Sequence, residues 1–158
     1  MNNSKIEFLK KCEAELLGSF LFILDDFASE VDSKLIIQSN TLSWIELYFT
    51  NFKKSRTIQI IISEGINADK KQSYSIRFNI QKINPERENI SSFSIRDFCN
   101  EMDLQFELKD FYIESPNFLM ELKKYIESVN KVIDTEEMRA ILFDEYWIDI
   151  KPDFSPYK

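Results

Sequence analysis

At 158 residues, with a formal charge of −7, no histidine, two cysteines and two glycines, the chain has room for a single domain and lacks the materials of several common chemistries. A domain of this length buries roughly 68–70% of the surface its unfolded chain exposes, so it needs neither disulfide nor metal to fold. Without histidine there is no Ser-His-Asp or Cys-His catalysis and no His-containing zinc site; Cys12 and Cys99 cannot form an all-cysteine site, and Gly18 and Gly65 cannot spell a glycine-rich phosphate loop.

The negative charge is unevenly placed. Residues 1–96 carry 12 acids and 13 bases, whereas residues 97–158 carry 15 acids and 7 bases, so the surplus belongs to the second part. A surface of that sign repels nucleic acid and attracts cationic partners. The two cysteines have no CxxC spacing and lie on apolar helical faces, which suits reduced, buried thiols in a cytoplasmic protein.

From the start of the chain, Ser4 and Glu7 make a capping box, and Leu9, Cys12, Leu16, Phe20, Ile23 and Phe27 then recur at helical steps. A long first helix is expected, stopping near Ala28, where Asp25, Asp26, Glu30 and Asp32 oppose the helix dipole. Its apolar run Leu16–Leu24 is far shorter than the ~20 residues that span a bilayer. It also lacks the basic leader and small-residue cleavage site of a signal peptide.

Lys34–Gln38 is a first strand or a lead-in to one. After it, Ile45, Leu47 and Phe49 share one face and Trp44, Glu46 and Tyr48 the other; Asn51–Ser55 turns the chain; and Ile58, Ile60 and Ile62 return along the core face. Ile61 lies on the second face, near Trp44 and Tyr48. Glu64–Ser73 is predicted as a turn, followed by a strand in which Tyr74, Ile76, Phe78 and Ile80 oppose Ser75, Arg77, Asn79 and Gln81.

Asn84–Ser92 reads as a loop. Ser94 is placed to cap a short helix with Asp97 at its third position and Ile95, Phe98, Cys99 and Met102 along one stripe. Leu104, Phe106 and Leu108 alternate with Gln105, Glu107 and Lys109 as a strand would. Ser115-Pro116 starts a helix that carries Leu119, Leu122, Ile126, Val129 and Ile133 on one face. Asp134 is the expected cap of a further helix with Met138, Ile141 and Leu142 inward. Tyr146–Lys151 alternates again, a pattern that a last strand would give but that so short an apolar run does not settle.

Together these elements predict one α+β domain over 1–158. An N-terminal helix lies within 1–30, a β-meander over 34–83, a helix-strand-helix region over 94–151 and a surface tail over 152–158. The sheet is mostly antiparallel, of about four to six strands, and packs against the long first helix and the C-terminal helices.

Carboxylate pairs are plentiful, but Asp144, Glu145 and Asp149 have ordinary surface spacing, and neither a catalytic group nor a metal or other cofactor is expected of them. Lys53, Lys54 and Arg56, with Lys70 and Lys71, sit at hairpin ends, where charge keeps loops wet, so nucleic-acid binding is not expected. The acidic, aromatic set Asp134, Glu136, Glu137, Asp144, Glu145, Tyr146, Trp147 and Asp149 suits an interface with a basic protein, aromatic residues supplying contact and carboxylates speeding encounter. Trp44, Tyr48 and Ile61 form a rival surface.

The expected function is a non-enzymatic inhibitor of the bacterial immunity-protein kind, which covers the basic cleft of a cognate toxin such as a nuclease. Abundant Ile, Asn and Lys beside four alanines are compatible with an AT-rich bacterial genome. One alternative is a secretion chaperone that holds an extended effector segment; another is an enzyme or ligand-binding domain with a carboxylate-lined pocket. A membrane role is not expected, and the sequence leaves monomer and homodimer equally open.

Overall fold

The alternating residues of the meander form the middle of an antiparallel sheet in the computed structural model, which describes residues 3–19, 27–38, 42–66, 72–105 and 113–151. Strands β1 (Glu30–Gln38), β2 (Leu42–Asn51), β3 (Arg56–Ile66), β4 (Gln72–Ile83) and β5 (Asn89–Ser94) lie side by side in chain order. The far side of β4 is shared. Its Asn79–Ile83 end pairs with β5, and Ser73 and Tyr74 pair with the two-residue β6 (Ile113–Glu114).

Register converts the period of two into continuous apolar rows. Leu35, Ile45, Ile62 and Ile76 stand opposite one another, as do Leu47, Ile60 and Phe78, and Phe49, Ile58, Ile80 and Phe93. Directly opposed apolar side chains on one face are the unit of sheet stabilisation, and a one-residue slip would turn every row to water.

Among the described residues, helices α1 (Asn3–Ser19), α2 (Ile95–Glu101), α3 (Ser115–Ile133) and α4 (Glu136–Phe143) cover that face. Leu9, Cys12 and Leu16 of α1, Phe118, Leu122, Ile126 and Val129 of α3, and Met138, Ile141 and Leu142 of α4 join the sheet residues in one buried cluster. Phe8, Tyr74 and Phe118 meet with ring centroids 4.5–5.9 Å apart, tying α1 and α3 to β4. The domain is thus α+β with a largely antiparallel sheet, as its pattern predicts. None of the described helices is long and apolar enough to cross a membrane.

Several boundaries differ from the sequence reading. The first helix already includes Asn3, so Ser4 lies inside it and is not its cap; Phe20 and Ile23 fall outside the described residues. β1 begins four residues before Lys34, and β3 and β4 stay paired out to Ile66 and Gln72, which shortens the expected Glu64–Ser73 turn. The loop expected over Asn84–Ser92 is a tight turn over Asn84–Glu88 followed by a strand. Asn84 closes that turn with both backbone and side chain, its Oδ1 accepting from the Glu88 N–H at 2.8 Å.

Leu104 and Gln105 are not in a strand, and the rest of that expected strand lies outside the described residues. Ser94 caps α2, accepting from the Asp97 N–H at 3.0 Å. The cap of α4 is Thr135 rather than Asp134, with the Met138 N–H donating to its hydroxyl. Residues 146–151 form no strand.

Replacing Phe78, which is fully buried beneath the helices, with Ala should cost about 3–5 kcal/mol in urea titrations. Ile90, 57% exposed, should change stability by less than about 0.5 kcal/mol on the same substitution. Equal losses at the two positions would contradict this division into faces.

Burial raises the Cys12 thiol from 9.0 to about 12, helped by the nearby Glu15 charge, and the Cys99 thiol from 9.0 to about 11. Because both folded values lie above the unfolded ones, their stabilisation is complete below pH 9 and is lost as pH rises toward 11–12. Urea midpoints should fall across that window in the native chain and fall less steeply in Cys12→Ala/Cys99→Ala.

Candidate functional site

Two surfaces carry the residues singled out by sequence. The first is the corner where the chain leaves α4. Glu136, Glu137, Asp144, Glu145 and Asp149 are exposed, Asp134 pairs at the surface with Arg139 (3.5 Å), and Tyr146 is 48% exposed. Carboxylates therefore dominate this corner.

Trp147 has a different place from the one its neighbours have. Its ring lies 5.1 Å from that of Phe93, and its indole N–H donates to Ser91 Oγ (3.1 Å), whose own hydroxyl donates to Asp149. The guanidinium of Arg56 covers the ring at 4.9 Å. Arg56, expected to be a wet hairpin charge, is in fact 3% exposed. It donates from Nε to the Ile141 carbonyl (2.8 Å), from Nη2 to the Tyr146 carbonyl (3.2 Å) and from Nη1 to the Lys54 carbonyl (2.9 Å). Burial pulls the guanidinium below its ordinary value, and the nearby Glu145 charge partly opposes this. Its cost of burial is thus offset by carbonyls that would otherwise lack donors. The outcome is an irregular segment, 144–151, fixed to the sheet without pairing.

The second surface is the other face of the sheet. None of the buried helical residues belongs to it, and Trp44, Tyr48 and Ile61 stand half-buried there, outside the core cluster. The three are brought together as predicted, but the organising residue is one the sequence reading passed over. Glu46 lies between Trp44 and Tyr48 on β2, accepting from the indole N–H at 3.2 Å on one oxygen and from the phenol at 2.7 Å on the other. Across the register it faces Lys34 on one side and Ile61, then Arg77, on the other.

A chain of amides supports this arrangement. Gln59 donates to the Tyr48 hydroxyl (3.1 Å), and Asn79 and Gln81 both donate to Gln59 Oε1. Burial first, and then the bond to Glu46, raises the Tyr48 phenol above its ordinary 10.0, which keeps it protonated and donating. Every second residue from Trp44 to Tyr48 is the signal that could have revealed the site, since i, i+2 and i+4 of a strand share a face.

Along the same face a cleft of about 260 Å³ opens between β1 and the β4–β5 turn, lined by Glu30, Asp32, Lys34, Tyr48, Phe52 and Arg87 among others. Arg87, held at a positive φ of 68°, reaches over the Phe52 ring (4.4 Å) and to Glu30 (3.5 Å).

Among the described residues, no group of three or more acids or cysteines comes together in the manner of a metal site. The buried, proton-retaining thiols of Cys12 and Cys99 are poor nucleophiles. No protein-family model matches this chain, and no curated protein or solved structure does so. What the fold and the two surfaces define is a helix-covered meander with an aromatic, carboxylate-bearing face.

Replacing Arg56 with Met should destabilise the fold by about 2–3 kcal/mol, because the buried Ile141 carbonyl and the part-buried Tyr146 and Lys54 carbonyls lose a charged donor. Hydrogen exchange of amides 144–150 should accelerate selectively. Arg56→Lys should fare little better, since an ammonium cannot reproduce the planar fork; full rescue by Lys would mean that charge alone holds the segment.

Proposed function

We propose that this chain is a non-enzymatic protein-binding module, an inhibitor of the immunity-protein kind that covers the cleft of a basic partner such as a toxin nuclease. The observation that carries this reading is Glu46, held between two half-buried aromatic side chains on the face that the described helices leave uncovered. Each of its oxygens accepts one internal bond and can accept another. The Lys34 ammonium already lies over the Tyr48 ring at 5.5 Å, and a second guanidinium or ammonium group arriving there meets the oriented carboxylate and the neighbouring indole of Trp44, a combination that suits an arginine or lysine side chain.

The exposed acids at 134–149 complement this at longer range. Their charge favours approach of a cationic cleft, while Tyr146 offers a further aromatic contact. Trp147 contributes by fixing the corner, since its ring and N–H are already engaged within the domain. A carboxylate-rich surface that occupies a phosphate-binding cleft blocks entry without any bond being made or broken.

The purified protein should be tested for binding and inhibition against the products of genes adjacent to its own, at ~0.1 M and ~1 M salt, where the screening length falls from ~10 to ~3 Å. A basic partner should be captured at low salt and weakened at high salt. Trp44→Ala should then lower affinity about 30-fold or more, as a hot-spot aromatic does. Glu136→Lys/Glu137→Lys should mainly slow association. Loss of binding on Tyr146→Ala but not on Trp44→Ala would move the interface to the acidic corner. Failure to bind or inhibit any adjacent product would end the inhibitor reading.

A further inference from the structure

The outer edge of β1 has no strand beside it among the described residues, and its residues Glu30, Val31, Asp32, Ser33 and Lys34 are all exposed. Such an edge presents unpaired donors and acceptors to any extended chain. The Ser33 N–H is bonded instead by the carboxylate of its neighbour Asp32, at 2.9 Å. Val31, 47% exposed, leaves an apolar side chain at the same rim, two positions from Lys34's neighbour Ser33 and on the core side of the sheet.

We propose that two copies of this chain pair antiparallel through β1, about a two-fold axis at Ser33, to form one continuous sheet. Residues directly opposite in an antiparallel pair share a face, so a symmetric pairing must bring together positions of equal parity. Centred on Ser33, the register sets Asp32 of each copy against Lys34 of the other and Val31 against Leu35. Moving the centre to Asp32 sets Asp32 against Asp32 between two Glu30–Lys34 contacts, and moving it to Lys34 sets Lys34 against Lys34 with no opposite charge to offset it. The Ser33 register alone brings opposite charges together with no like-charge contact, so the charge pattern of the edge favours it over its neighbours. In that register the Ser33 amides exchange ladder bonds, and Asp32 is released to meet the lysine.

The pairing is made by β1 and needs no contact between copies at Trp44, Glu46 or Tyr48 of β2, although Lys34 also lies over the Tyr48 ring, so it does not depend on the partner reading above. Its test is self-association of the full chain by sedimentation velocity and equilibrium. The native protein should dimerise reversibly. Asp32→Lys and Lys34→Asp should each weaken dimerisation about tenfold, because two like-charge contacts replace two opposite ones, and the double variant should restore it.

Independently, Ser33→Cys should form an intermolecular disulfide under mild oxidation. Opposed residues at a hydrogen-bonded position lie about 5.5 Å apart between Cα atoms, within disulfide reach. Glu30→Cys should not. A native chain that remains monomeric up to its solubility limit would overturn the proposal and leave Asp32 and Lys34 as guards of a free edge. So would a dimer indifferent to the charge reversals, or one in which Ser33→Cys does not cross-link. Binding of an extended peptide at β1 in place of a second copy would overturn it as well.

Discussion

One-sided placement of the sheet's apolar rows is the constraint from which the rest of the molecule follows. Three strands, β2 to β4, place Ile, Leu, Phe and Tyr on the same face with such regularity that this face cannot be left to water. At roughly 25 cal/mol per Å² of apolar surface, leaving those rows uncovered would forfeit the main favourable term in folding. α1 and α3 are amphipathic in the required sense and pack on the rows, while α2 and α4 add Ile95, Phe98, Met138, Ile141 and Leu142 to the same cluster. The opposite face need only be satisfied in its hydrogen bonds, which the Gln59, Asn79 and Gln81 amides and the Thr50–Thr57 hydroxyl pair accomplish. That freedom is what allows Trp44, Glu46 and Tyr48 to be arranged for something other than packing.

Arg56 solves a second problem created by the same geometry. The chain after α4 returns along the core side of the sheet, its Trp147 ring against Phe93, without pairing with any strand. Its carbonyls then lack ladder partners, and buried carbonyls without donors are costly. A planar guanidinium with several donors can serve Ile141, Tyr146 and the Lys54–Ser55 turn together, and its flat face can still cover Trp147. Lysine offers neither the fork nor the stacking plane.

The parts of this fold that were legible in the sequence are those in which one residue type can mean one thing. Alternation from Tyr74 to Gln81 could be read directly, as could the helical faces through Leu122, Ile126 and Val129, because periods of 2.0 and 3.6 are set by backbone geometry. β5 was missed since Asn89-Ile-Ser-Ser-Phe-Ser carries few β-favouring residues, and its pairing with β4 is decided by the Asn84 turn rather than by propensity. Arg56 was misread because a basic residue beside a hairpin is usually solvated, and the carbonyls that hold it are about 85–90 positions away. Tertiary partners at that distance leave no local mark. The site was half legible: the shared face of Trp44, Tyr48 and Ile61 follows from strand period, but the role of Glu46 depends on side-chain rotamers that the sequence does not display.

Under the proposed function, the two surfaces would divide a single electrostatic task. Exposed carboxylates such as Glu136, Glu137 and Glu145 keep their solvent shells, and their influence reaches about one screening length, so they bear on encounter more than on the lifetime of a complex. Glu46 differs because its donors are already in place: Trp44 and Tyr48 fix both oxygens, and Gln59 fixes Tyr48 in turn. Little side-chain entropy remains to be lost when a cation arrives, and a preorganised carboxylate beside aromatic surface should lengthen the bound state. The indole and phenol also limit access of water to the carboxylate once a partner closes over them, which strengthens the attraction that orders the contact in the first place.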